Sequence, residues 1–363
     1  RLKKQIKTVD AIKGELTLSD DETAALKRIS ERHPMSVTEY YFNLIDKNDI
    51  DDPIKKLAIP NANELDDHGQ YDTSGEGENT KMTGLQHKYE STALVISTNV
   101  CYMYCRHCFR KRMVGYTKDE INRRMAETVK YVKEHEEIDN VLISGGDSFT
   151  LRNEEIEDYL KNLTPIKHLD FIRFGTRIPV VFPYRITEDP ELLEILKKYN
   201  RKKQIVIVTQ FDHPREFTDE AKKGIELLQE AGCVIRNQAV LLSGINDNPA
   251  TMRTLIKKLT QWGIQPYYTF QCRPVKFATG YQVPLSRGLD ILKEAKQGMN
   301  GIAKGFRYIM SHPYGKIEIF GKTDTEFIFK FQHSKYEKYN EHLFTTPRDE
   351  SATWLDENLK PMH

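Results

Sequence analysis

The chain has 363 residues, a formal net charge of +1, and 29% charged against 39% hydrophobic side chains, so no global field favours nucleic acid or an anionic membrane surface. No run approaches the ~18 apolar residues of a membrane-spanning helix, and no secretory or transit pattern opens the sequence. The expectation is a cytoplasmic protein whose length suits one extended α/β domain or two domains.

In chain order, residues 19–47 carry two helix-start signals. Ser19-Asp20-Asp21-Glu22 precedes an Ala/Leu-rich run, and Ser36-Val37-Thr38-Glu39 has the spacing of a capping box. Asp66 to Gly84 is polar and rich in Gly, Asp and Asn, which predicts a long irregular connection. Residues 1–83 therefore read as a helical N-terminal extension and linker. β-branched runs follow at 93–98, 140–144, 171–175, 204–209, 234–242 and 266–270, separated by amphipathic segments at about 119–135, 153–162, 190–199, 217–231 and 250–262. This α/β alternation over 84–280 predicts a parallel sheet with right-handed crossovers, curved into a partial barrel. A helix over 285–299 and strands over 305–310 and 316–320 fill a C-terminal segment, 281–332. The charged, Pro-containing stretch 333–363 predicts a surface tail.

Cys101, Cys105 and Cys108 directly follow the first barrel strand in the spacing Cys-x3-Cys-x2-Cys. Reactive groups in such barrels gather at the C-terminal ends of strands. Three thiolates hold three corners of a [4Fe–4S] cluster and leave one iron open, whereas full cysteine ligation takes four. A structural zinc closes with four Cys or His ligands, and His107, one residue from Cys108, is poorly placed to be the fourth. A simple electron carrier lacks its fourth cysteine in the same way. Cys233 and Cys272 lie in apolar stretches and read as small buried hydrophobes; disulfides are not expected.

The triad with Arg106-His107 inside it, Gly145-Gly146-Asp147 after the second strand, Gly175-Thr176-Arg177-Ile178-Pro179, Asn237-Gln238 and Asn246-Asp247-Asn248-Pro249 together resemble the lysine 2,3-aminomutase family of radical SAM enzymes, from about Gly84 to Lys316. The resemblance implies a partial (β/α)6 radical SAM barrel with C-terminal strands that bind pyridoxal 5′-phosphate. It also implies a [4Fe–4S] cluster on the three cysteines and S-adenosyl-L-methionine, cleaved to a 5′-deoxyadenosyl radical. The amino group of an amino acid held as an imine on the pyridoxal then migrates from C2 to C3. An external one-electron reductant such as flavodoxin or ferredoxin and a homo-oligomer are implied as well.

By the same resemblance Gly145, Gly146, Asp147 and Gln238 contact the adenosylmethionine, and His107 packs on its adenine. Lys316, after Gly315, forms the imine, while His87 and Lys88 hold the cofactor phosphate. Two family positions differ: Gln210 replaces a histidine and Thr92 an arginine. Arg110 matches the arginine that grips the substrate α-carboxylate, which suits a planar bidentate donor. Lysine-specific members neutralise the substrate ammonium with two aspartates; the corresponding positions here hold Arg273 and Ser311 or a neighbour. An ammonium buried against Arg273 meets desolvation and repulsion, so an anionic side chain is expected, with Lys276 assisting. Glutamate is the leading substrate. Lysine, another amino acid, or a macromolecule modified without need of Lys316 are the alternatives. No cysteine follows Cys272, so the intersubunit zinc of the lysine-specific members is not expected.

Overall fold

The computed structural model of the protein describes residues 5–16, 18–115 and 119–363. Two short strands, β1 (Gln5–Ile6) and β2 (Val37–Thr38), pair antiparallel near the start. The longer runs form one twelve-stranded sheet whose members lie side by side in chain order. They are β3 (Thr80–Met82), β4 (Leu85–Tyr89), β5 (Thr92–Thr98), β6 (Asn140–Gly145), β7 (Phe171–Gly175), β8 (Gln204–Thr209), β9 (Val234–Leu241), β10 (Gln265–Gln271), β11 (Arg307–His312), β12 (Gly315–Lys322), β13 (Glu326–Ser334) and β14 (Leu343–Pro347). β15 (Trp354–Leu355) and β16 (Pro361–Met362) make a separate pair.

Strands β5 to β11 run parallel, with helices Met125–Glu134, Asn153–Leu163, Pro190–Asn200, Asp219–Glu230, Pro249–Gln261 and Leu285–Lys296 in the crossovers. The six expected strand–helix units are all present, and β11 adds a seventh parallel strand. Antiparallel strands extend both edges. Alternation sorts the side chains: Ile143, Ile172, Phe174, Ile205 and Ile207 are buried in the core, while Leu142, Ser144, Arg173, Gln238 and Val240 face an inner hollow. Strands distant in the sheet order meet across that hollow. Lys88 Nζ on β4 donates to the His312 carbonyl at the end of β11 (2.7 Å), and Lys316 Nζ on β12 lies 5.3 Å from the Tyr89 ring centroid. The sheet therefore curls into a partial barrel.

Three expectations are corrected. The Ser36 capping box does not form, because Val37-Thr38 are drawn into β2 and Thr38 itself caps the short helix Glu39–Phe42. The first crossover helix begins at Met125 rather than near 119, because the Asn122 amide is tied to the Ile96 carbonyl of β5 (2.7 Å). The stretch after 333 is not a surface tail. It supplies β14, and Ala352, Trp354 and Leu355 are buried. Gln271 Nε2 donates to the Thr353 carbonyl (2.8 Å) and so fastens this segment to the end of β10. Its apolar anchors are too widely spaced to show a periodicity.

The helical extension has a clear task. Helix Asp20–Arg32 starts at the expected Ser19/Glu22 capping box, and the chain after it cradles the loop of the three cysteines. The Tyr104 amide donates to the Ser36 carbonyl (2.8 Å) and the Arg106 amide to the Leu57 carbonyl (3.0 Å). Glu64, fully buried, accepts from Arg106 Nε (2.8 Å) and Nη2 (2.6 Å) and from Lys111 Nζ (2.8 Å). Removing a buried carboxylate strands the cations around it, at a cost of about 3–5 kcal/mol. Glu64→Ala is expected to lower the urea midpoint by that amount of stability; an unchanged midpoint would remove this ion pair from the loop's support.

Candidate active site

The inner hollow has a volume of about 350 Å³ and is open at the C-terminal ends of the parallel strands, where the loop after β5 brings Cys101, Cys105 and Cys108 to its wall. All three thiols are free and half-buried. Three thiols on one wall can supply three corners of a [4Fe–4S] cluster. Arg177 Nη1 donates to Cys105 Sγ (2.8 Å), and Arg177 is held by Glu216 (2.6 Å), which Tyr41 of the extension also contacts (2.6 Å).

The turn after β6 presses against this loop. Gly145 has φ +124, and a Cβ there would stand 2.3 Å from the Thr98 carbonyl oxygen; one on Gly146 would stand 2.3 Å from that of Val100. Only glycine permits this approach. Asp147 lines the hollow, but its carboxylate already accepts from Thr176 Oγ1 (2.6 Å), the Phe149 amide (3.0 Å) and the Arg177 amide (2.7 Å). These bonds brace the turn, and Asp147 still faces the hollow with acceptor capacity to spare. His107 and Gln238 face the hollow. Gln210 Nε2 donates to His107 Nε2 (2.9 Å) and Asp212 Oδ2 (2.7 Å), which turns the ring.

Positive charge accumulates in the hollow. Lys88, Arg110, Arg173, Arg177, Arg273 and Lys316 line it, against the carboxylates of Glu76 and Asp147. Glu76 is taken by Arg110 (Nε 3.0 Å, Nη2 2.8 Å) and Arg112 (2.6 Å). Burial raises its pKa, but the two arginines outweigh that and bring it down to about 2. Arg273 donates Nη2 to Ser311 Oγ (3.0 Å) and lies with Cζ 4.1 Å from the Phe109 ring centroid. Its Nη1 is buried without a partner. Lys316 is the second residue of β12, opposite Ser311, after a two-residue turn rather than in a glycine loop. Gly315 is required there because a Cβ would meet the His333 carbonyl at 2.1 Å.

Of the residues expected at the site, the cysteines, His107, Gly145, Gly146, Asp147, Gln238, Arg110, Lys88, Arg273, Ser311 and Lys316 converge on the hollow. His87 and Lys276 do not. His87 points to the other face of β4, bonding Tyr131 Oη (3.0 Å) and the Glu90 carbonyl (2.9 Å), as alternation demands once Lys88 points inward. Lys276 sits beside Phe277, where the Gly69–Gln70 backbone packs on its loop. Sequence reasoning passed over Glu76, hidden in a polar connection, and Arg173, whose inward position on β7 was the available signal.

A sevenfold parallel, curled sheet with three free cysteines at its open end and glycines packed against their loop defines a radical SAM enzyme. Residues 95–256 match the Radical SAM superfamily. Over 98% of this chain and 95% of the relative, the sequence is 37% identical to a protein of Aquifex aeolicus described as "Putative L-lysine 2,3-aminomutase". It is 37% identical to the L-lysine 2,3-aminomutase of Fusobacterium nucleatum (84% of this chain, 71% of the relative) and 37% identical to the glutamate 2,3-aminomutase of Clostridioides difficile (87% and 74%). The chain belongs to the lysine 2,3-aminomutase family. It is an amino acid 2,3-aminomutase, an isomerase that uses a [4Fe–4S] cluster, S-adenosyl-L-methionine and pyridoxal 5′-phosphate. No helix among the described residues is long and apolar enough to cross a membrane.

The cationic floor suits the anionic pyridoxal cofactor, and the surroundings of Lys316 favour its neutral amine. Burial, then Arg173 and Arg273, push its pKa down to about 7, so the amine is protonated below that value and nucleophilic above it. Attachment of pyridoxal phosphate to the cofactor-free protein, followed by absorbance, is expected to quicken with pH through about 7 and level off. A rate that climbs on towards pH ~10, the ordinary lysine range, would contradict this environment.

Proposed function

We propose that this aminomutase acts on L-glutamate and yields β-glutamate. The observation that carries the reading is the buried Arg273 guanidinium, held at one end by Ser311 with Nη1 unpartnered, in a hollow that also contains Lys316. A substrate carboxylate satisfies that donor; a lysine ammonium meets a like charge in a poorly screened space. Sequence identity does not choose between the two substrates, since the lysine and glutamate enzymes named above are equally similar.

The residues divide the work. Cys101, Cys105 and Cys108 hold the cluster, which supplies, with adenosylmethionine, the hydrogen-abstracting radical. The backbone of Gly145 and Gly146 and the side chain of Gln238 hold the adenosylmethionine, with His107 against its adenine. Lys316 anchors the pyridoxal aldehyde and Lys88 adds positive charge nearby. Arg110 Nη1 has only long contacts, to Ser144 Oγ (3.5 Å) and the Gly145 carbonyl (3.4 Å), and takes the α-carboxylate, while Glu76 fixes the rest of the guanidinium. Arg273 and Ser311 take the side-chain carboxylate, and holding the amino acid at both ends sets the distance its β-hydrogen must cover. A one-electron donor such as flavodoxin or ferredoxin and assembly with further copies of the chain complete this reading.

The test is anaerobic reconstitution and a competition among glutamate, lysine, arginine and alanine, with β-amino products identified by mass. Glutamate is expected to be consumed first, and Arg273→Asp to lower its kcat/KM by at least about 100-fold, the loss of a buried charge-assisted pair. Turnover of lysine without glutamate would overturn the proposal.

A further inference from the structure

A second buried guanidinium faces the hollow with no assigned task. Arg173, on β7, lies two residues before Gly175, about 7 Å further from the cysteine loop at 3.3 Å per residue. Its Nη2 reaches Thr92 Oγ1 at the long distance of 3.5 Å, and its Nε is buried with no hydrogen-bond partner. Among the described residues it forms no ion pair. Arg236, likewise inward, lies over Tyr267 and offers no compensation. A buried arginine left in this state calls for an anion. Two cations bear on Lys316, Arg173 and Arg273. Arg273 rests on Phe109, next to Cys108, and so lies on the side where a substrate must meet the radical source. Arg173 lies deeper, beside Thr92 at the start of β5, where a group that stays clear of the reaction belongs.

We propose that Arg173, with the Thr92 hydroxyl, forms the binding site for the phosphate monoester of pyridoxal 5′-phosphate in this chain. The planar fork of the guanidinium matches phosphate oxygens, and Thr92 Oγ1 gives a second donor on the same anion. The inference rests on attachment of the cofactor at Lys316, and it is independent of which amino acid is the substrate.

The experiment measures binding of pyridoxal 5′-phosphate and of pyridoxal, which lacks the phosphate, to the cluster-loaded full chain. Absorbance and borohydride trapping at Lys316 are read for wild type, Arg173→Met, Arg173→Lys and the double variant Thr92→Arg/Arg173→Met. Arg173→Met is expected to weaken pyridoxal phosphate about 10- to 100-fold, the range for hydrogen bonds to a charged group, and to leave pyridoxal unchanged. Arg173→Lys falls between. The double variant recovers most of the loss, because an arginine rooted at Thr92 reaches the same place. Equal losses for the two aldehydes, unchanged binding of both, or a higher KM for glutamate with pyridoxal phosphate binding intact would each overturn the proposal. Where Arg173→Met does not fold, the same comparison in Arg173→Lys decides: a loss confined to the phosphate ester supports it and an unselective loss sinks it. A wrong substrate assignment shows separately, in the products, with the discrimination between the two aldehydes intact.

Discussion

The site depends on positive charge withdrawn from water without enough carboxylate to balance it. Lys88, Arg173, Arg273 and Lys316 line one hollow and form no ion pair among the described residues. Each buried ion carries a desolvation penalty of several kcal/mol. The lysines and arginines answer that penalty differently. Burial and neighbouring cations lower Lys88 and Lys316 to about 7, and such an amine can give up its proton and become a nucleophile. An arginine cannot, so Arg173 and Arg273 keep their charge and wait for anions. The same unbalanced field thus favours a neutral lysine amine and anionic ligands in the space around it. It also ties folding to occupancy, because a ligand that satisfies these cations only in the folded state stabilises that state by mass action.

The upper end of the hollow follows the opposite rule: the cations Arg106, Lys111 and Arg177 near the cysteine loop each have a carboxylate partner. Glu64 compensates Arg106 and Lys111, and Glu216 compensates Arg177, which in turn touches Cys105. Most of these partners come from outside the barrel strands, from the extension before β3 and the loop after β8. A loop carrying three cysteines in eight residues has little regular structure of its own, and its Tyr104 and Arg106 amides bond outward to Ser36 and Leu57. Its shape is imposed by the helical extension.

The barrel was legible in the sequence because its strands read as short apolar runs rich in β-branched residues, spaced by helical segments, and the crossover helices because one face of each is apolar. The cysteines and the Gly145-Gly146 turn were legible because few residue types do what those positions require. Less visible were features that depend on partners far along the chain. Glu76 looks like any acid in a polar connection until Arg110 and Arg112 close on it. His87 and Lys88 are neighbours in sequence, and only the register of β4 against β5 decides which of them faces inward. The segment after 333 looked like solvent-facing tail because Trp354 and Leu355 are packed by tertiary contacts that leave no period.

On the proposed reading, substrate choice and radical chemistry are mechanically linked. Arg273, which we propose discriminates by charge, stacks on Phe109, and Phe109 follows Cys108. Its other anchor is Ser311, which pairs in register with Lys316 across β11 and β12. One guanidinium therefore spans the cluster loop and the cofactor strand. A side-chain carboxylate that fills its free Nη1 fixes the far end of the substrate relative to both reacting centres. An aspartate at this position would reverse the charge, lose the stacking on Phe109 and shorten the bridge to Ser311. On the proposed reading, exchanging specificity at this position is more than a change of sign, because the residue that reads the substrate also helps to set the distance over which a hydrogen atom must move.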